Sequence, residues 1–159
     1  MYMDTKALFK LGYGLYVIGT EHEGVLAGCT CNTVAQITGT PVQIAVGLNK
    51  DNYTNEMIHK SGKLTVSILD KTADMDLIAN FGFQSSRTAD KFHTSGQAFV
   101  VDTQAVPYLA EHTSAVLSAI LAEKATEFFV IVAPFVNSIP VSSVAYVILL
   151  IVGNTLSST

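Results

Sequence analysis

The sequence predicts a mainly β domain, a barrel of short strands decorated by small helices. Three observations lead there. The apolar runs have strand length and are separated by Gly, Asn and Pro turn signals. Only a few short segments combine helical spacing with capping residues. The Gly-x-Gly-x-x-Gly pattern of a parallel dinucleotide-binding sheet is absent. Gly12-Tyr13-Gly14 is a lone Gly-x-Gly standing before a strand, the wrong context for that motif.

Taken in order, Asp4 can cap a short helix through Leu11, with Leu8 and Leu11 on one face, and Gly12 and Gly14 break it. Leu15–Thr20 reads as a strand, Glu21-His22-Glu23-Gly24 as its turn, and Val25–Thr30 as the returning strand. Residues 32–40 read as polar and irregular, ending at Pro41. Val42–Leu48 alternates and is a strand. Tyr53–Ser61 is a helix that Asn52 or Thr54 can cap and Gly62 ends. Leu64–Leu69 alternates Leu64, Val66 and Ile68 against Thr65 and Ser67. Thr72–Phe81 is a second helix with Gly82 as its C-cap, and Phe83–Gly96 is a long polar loop of the kind that often carries function. Residues 115–122 suit helix or strand, and the apolar runs around them favour strand. Phe128–Val132 and Val144–Val152 close the sheet.

At 159 residues the chain is read as one domain, residues 1–159. Net charge is −4 and no Lys/Arg-rich run occurs, which argues against a nucleic-acid partner. From Phe128 to Thr159 there is no Asp, Glu, Lys, Arg or His. Pro134, Asn137 and Pro140 interrupt that segment before it reaches the ~20 apolar residues of a membrane span. It therefore reads as buried strands or a subunit interface rather than a membrane contact. The start of the chain shows no signal peptide. Cys29 and Cys31 lie two apart, on one face of a strand, and read as buried free thiols in a reduced, cytoplasmic setting. The four histidines are scattered and show no metal spacing, so no metal site and no catalytic acid or base is assigned.

Two polar blocks adjoin apolar runs: Asn32-Thr33-Val34-Ala35-Gln36-Ile37-Thr38 and Asn49-Lys50-Asp51-Asn52-Tyr53-Thr54. Thr30, Asn32, Thr33 and Gln36 can hydrogen-bond the edge of a planar heterocycle, or simply satisfy their own loop. The second block opens a helix. Free amides, Lys50 and the Thr54 hydroxyl can meet a phosphate there, or serve only as a cap and a surface lysine. Phe81-Gly82-Phe83 leads through Ser86 to Asp90-Lys91-Phe92. Phe83 can line an aromatic ligand, with Ser86 and Lys91 near an anion, or the phenylalanines can belong to the core. An anionic, aromatic, hydrogen-bonding ligand such as flavin mononucleotide (FMN) fits both blocks.

In order and spacing these blocks resemble the flavin reductase-like, FMN-binding split-barrel family, in its ferric reductase, flavoredoxin and rubredoxin-linked branch. The matching strings are Lys10-Leu11-Gly12-Tyr13-Gly14-Leu15-Tyr16, Asn32 to Thr38, Ile44-Ala45-Val46-Gly47-Leu48-Asn49-Lys50, Thr65-Val66-Ser67-Ile68-Leu69 and Phe81-Gly82-Phe83. They cover about Met3 to Phe92. The resemblance implies a six-stranded Greek-key split β-barrel, a homodimer, and FMN bound near the dimer interface. It extends the candidate cofactor-binding set to Val34, Ala35 and Leu48. It implies hydride transfer from NAD(P)H to FMN, then electron transfer to a flavin, a ferric chelate or a redox protein. The cofactor carries the chemistry. Where the family commonly has a histidine near the flavin, this chain has Glu127, a carboxylate disfavoured beside an anionic reduced flavin. The alternatives are a non-enzymatic FMN electron carrier of flavoredoxin type and a binding module without flavin.

Overall fold

The computed structural model describes residues 10–40 and 42–121. It is mainly β with few helices, as expected. Strand β1 (Tyr16–His22) turns through Glu23 and Gly24 into β2 (Val25–Cys31), so the strand runs further into the expected turn. Hairpin β3 (Val34–Gly39) and β4 (Val42–Val46) follows. Helix α1 (Tyr53–Ser61) has the expected bounds. The Asn52 side chain accepts from the Thr54 amide at 2.8 Å, and Gly62 closes it at φ 68°, the left-handed conformation that glycine adopts without a Cβ clash. Strand β5 (Lys63–Leu69) leads to α2 (Met75–Gly82), the short α3 (Lys91–Thr94), β6 (Phe99–Val101), β7 (Pro107–Leu109) and β8 (Thr113–Ile120).

An antiparallel sheet, ordered β2-β1-β5-β8, forms the centre; β3–β4 and β6–β7 are separate two-stranded sheets. Among the described residues the strands do not close into a ring, and they number more than the six the family resemblance implies. One face of the central sheet, with Ile18, Cys29, Leu64 and Val66, packs on Ile44 and Val46 of β4 and Ile58 of α1. The other, through Val17, meets Leu77 and Phe81 of α2, Phe92 of α3 and Leu109 of β7. All three helices and both two-stranded sheets are thus anchored to the central sheet by burial of apolar surface.

Four expectations are corrected. Residues 32–40 are not irregular throughout, because Val34–Gly39 pairs with β4 despite its polarity, with a register shift between Gln36 and Thr38. The second helix starts at Met75 rather than Thr72. Asp70 first folds Thr72 into a turn (2.7 Å from its amide), and Asp74 caps the helix at the Leu77 amide (2.8 Å). Gly82 is inside that helix and Phe83 is its cap, in a right-handed conformation. The long loop contains α3, capped by Asp90. Residues 115–120 are strand, as expected, within a β8 that begins two residues earlier, and residue 122 lies outside the described residues. The expected helix from Asp4 lies largely, and the strands Phe128–Val132 and Val144–Val152 wholly, outside the described residues. No helix among the described residues is long and apolar enough to cross a membrane.

The β6–β7 hairpin is held by one carboxylate. Asp102, 8% exposed, accepts from the amides of Gln104 (2.8 Å) and Val106 (3.0 Å) and from the Ser118 hydroxyl of β8 (2.9 Å). The hairpin then covers the polar side of β5: Thr65 donates to the Pro107 carbonyl, and the Leu109 amide donates to Ser67. Asp102→Ala leaves two amides and a hydroxyl without their acceptor. It should cost about 2–5 kcal/mol, read as a lower urea midpoint, with Asp102→Asn milder. An unchanged midpoint for Asp102→Ala would show that the hairpin is held otherwise.

Candidate functional site

Two adjoining cavities open where β2, the start of α1 and the end of α2 meet. The first, of 240 Å³, is mainly polar. Cys29 and Thr30 form its floor, Asp51, Asn52 and Tyr53 one wall, and Phe81 through Ser86 the other, with Lys91 behind them. The second, of 350 Å³, is mainly apolar, lined by Leu15, Leu48, Ile78 and Phe83 together with Asn32 and Asn49. Thr30, Asn52, Gly82 and Phe83 border both, so the two are neighbouring halves of one cleft lining.

Local chemistry explains each wall. Asn49 organises the turn before α1: its side-chain oxygen accepts from the Asp51 amide at 3.0 Å, and its carbonyl accepts from the Asn52 amide at 3.0 Å. Thr30 donates to the Ile78 carbonyl at 3.2 Å, joining β2 to α2. Ser86 clamps the facing loop onto β2, accepting from the Gly28 amide (3.0 Å) and donating to the Gly28 carbonyl (2.9 Å). Lys91, only 2% exposed, donates to the carbonyls of Gly28 and Phe81, each at 2.9 Å. Residue 28 must be glycine for this packing, since a Cβ there would lie 2.9 Å from the Phe92 ring.

Of the residues expected from the sequence, Thr30, Asn32, Leu48, Asn49, Phe83, Ser86 and Lys91 are brought together around the cleft. Thr33, Val34, Ala35, Gln36, Lys50 and Thr54 do not line it. Thr33 ties the end of β2 to β4, its carbonyl accepting from the Gly47 amide at 2.8 Å. Val34, Ala35 and Gln36 belong to β3, Lys50 is exposed in a turn, and Thr54 is buried beneath the Cys29 thiol. Glu127 lies outside the described residues. Cys29, Gly82 and Gln84 line the cleft without having been singled out as site residues. Asn52, expected as the α1 cap within the polar block Asn49 to Thr54, also lines both cavities.

The cleft floor is electrostatically unusual. Lys91 has backbone carbonyls as its hydrogen-bond partners, and burial pushes its pKa down. Burial likewise raises the Cys29 thiol from 9.0 to about 11, against hydrogen bonds from Thr54 and Asn52 and the charge of Lys91. Both cysteines are free and buried, as read from the sequence. Burial also raises Cys31, whose sulfur sits 3.3 Å from the Thr33 amide.

Cys29 holds its proton in the folded chain over a window, from 9.0 to about 11, in which the unfolded chain releases it. Its contribution to stability is complete below that window and is lost as pH rises through it. Cys29→Ala should flatten the alkaline decline of the urea midpoint over that range. An equally steep decline would assign it elsewhere. In the native protein at about pH 8 both thiols should resist an aromatic disulfide reagent until denaturant is added. Rapid labelling of the folded protein would contradict their burial.

The flavin reductase-like domain model matches residues 8–144. The high molecular weight rubredoxin of Moorella thermoacetica is 44% identical over 119 residues, 75% of this chain and 51% of that protein. The ferric-chelate reductase (NAD(P)H) of Archaeoglobus fulgidus is 40% identical over 117 residues, 74% of this chain and 68% of that protein. The chain thus spans about half the length of the first relative and two-thirds of the second. The crystal structure of an FMN-binding domain of a flavin reductase-like enzyme from Shewanella baltica superposes with a TM-score of 0.62 at 21% identity, covering 70% of this chain and 58% of that one. With the domain model matched over most of the chain and the Moorella and Archaeoglobus relatives at 40% identity or more, the chain belongs to the flavin reductase-like domain family.

Proposed function

We propose that the cleft binds FMN, with its phosphate toward the polar cavity and its ring system toward the apolar one. The observation that carries this reading is the junction itself. A buried lysine and the capped start of α1 border one end, and Leu15, Leu48, Ile78 and the exposed face of Phe83 border the other. Asn52, Ser86 and Thr30 supply hydroxyl and amide groups between them. The donor set suits an anion, and the apolar walls suit a planar ring. Asn32 and Asn49, which line the second cavity, would meet the polar edge of such a ring. Thr33, Val34, Ala35, Gln36, Lys50 and Thr54, which do not line the cleft, are not assigned to the cofactor.

When bound, FMN would supply hydride acceptance from NAD(P)H and onward electron transfer. The protein's own residues bind, orient and shield; none is assigned a proton-transfer step. The function is therefore that of an NAD(P)H-dependent flavin or ferric-chelate reductase. The name of the Archaeoglobus relative supports the ferric chelate, and that of the Moorella relative supports a redox protein as a further acceptor. The reading includes a split barrel whose six strands are drawn from the eight described, and a homodimer. The outward-facing Ile37 of β3, 46% exposed, suits a second copy of the chain. Two buried free thiols suit a reducing cytoplasmic compartment. Glu127 in place of histidine favours the second reading, an electron carrier reduced by a partner protein.

The test is the visible spectrum of the purified protein with added FMN, followed anaerobically by NAD(P)H. Bound flavin that bleaches with nicotinamide is the expected result. Bound flavin that persists with nicotinamide but bleaches with a reduced redox protein selects the carrier. A protein that retains no flavin overturns both.

Within this reading, Phe83→Ala should weaken FMN binding by about three- to thirtyfold. It removes an exposed aromatic wall common to both cavities while leaving the buried core intact. Flavin fluorescence titration measures it, and unchanged affinity would remove Phe83 from the site.

A further inference from the structure

Arg87 leaves the loop after α2 and reaches across to α1. Its guanidinium carbon lies 4.5 Å from the centroid of the Tyr53 ring, within cation–π range. Its Nη2 donates to the Glu56 carboxylate, and Lys60 donates to the other oxygen of that carboxylate at 2.7 Å. These hydrogen bonds, Lys60 first, hold Glu56 below the usual carboxylate range, so the ion pair persists into mildly acidic solution. Tyr53 lines one wall of the polar cavity, while Ser85 and Ser86, next to Arg87 in the chain, line the opposite wall. One side chain therefore joins both walls. At 59% exposure it does so on the solvent side.

We propose that Arg87 is a strap across the polar end of the cleft, setting how fast FMN enters and leaves without adding to its affinity. The inference rests on the FMN reading above. The guanidinium has its ring-facing surface on Tyr53 and a donor edge on Glu56, so its partners are groups of the protein. Contacts made wholly within the protein serve the empty and the filled cleft alike, and they cancel from the dissociation constant. They must open for a ligand to pass, so they raise the barrier equally in both directions. An exposed ion pair and an exposed cation–π contact are each modest. Losing both should accelerate exchange by about three- to tenfold.

The experiment is stopped-flow flavin fluorescence with flavin-free protein and FMN, comparing wild type, Arg87→Ala and Glu56→Gln, with an equilibrium titration of each. In Arg87→Ala both the association and dissociation rates should rise together, with Kd within about twofold of wild type and a melting temperature lowered by no more than a few degrees. Glu56→Gln, which keeps the Tyr53 contact, should fall between. A weaker Kd with slower association would make Arg87 a ligand contact and overturn the strap. Unchanged rates in Arg87→Ala would also overturn it. A wild type that binds no FMN would overturn the underlying reading, and the equilibrium titration identifies that failure separately.

Discussion

The backbone of Gly28 is where the central sheet and the site become one object. β2 is an edge strand of the four-stranded sheet, and an open edge presents amides and carbonyls that need partners. At Gly28 those partners come from the segment after α2. Ser86 serves both the amide and the carbonyl, and Lys91 joins the same carbonyl to that of Phe81. The Phe92 ring rests where a Cβ would be. The same contacts that cover the sheet edge position the loop wall, so the cleft's shape follows from how an exposed strand is satisfied.

The sheet itself carries two cores. β1 sends Val17 to one side and Ile18 to the other, and both sides are buried. β5 goes further, because Thr65 and Ser67, polar by sequence, are as buried as Leu64 and Val66. They are buried at little cost because the β6–β7 hairpin meets them with a carbonyl and an amide. Asp102 in turn holds that hairpin in shape. The molecule thus stabilises a small mainly β fold by matching polar groups one to one as well as by apolar packing.

Charge in the cleft is organised by depth. Lys91 is buried and fixed by carbonyls at the floor, whereas Arg87, Glu56 and Lys60 form a solvent-side group. Among the described residues no carboxylate forms an ion pair with Lys91, whose hydrogen-bond partners are the neutral carbonyls of Gly28 and Phe81. The outer group shares one carboxylate between two cations and ties the loop after α2 to α1.

The sequence by itself determined the elements whose signal is local. The cap pair Asn52 and Gly62 bracketed α1 at its observed bounds, alternation placed β4 and β5, and the spacing of Cys29 and Cys31 put both thiols on one buried face. The ordered polar blocks also pointed to the family and to much of the cleft lining. Tertiary structure alone decided the rest. β6 and β7, three residues each, are too short for any period to show, and β3 is a strand only because β4 lies beside it. It also turned Lys91 inward to two carbonyls and laid Arg87 over Tyr53. The physical reason is that a side chain's role depends on which groups satisfy it, and those partners, Gly28 for Lys91 and Glu56 for Arg87, lie 63 and 31 residues away along the chain.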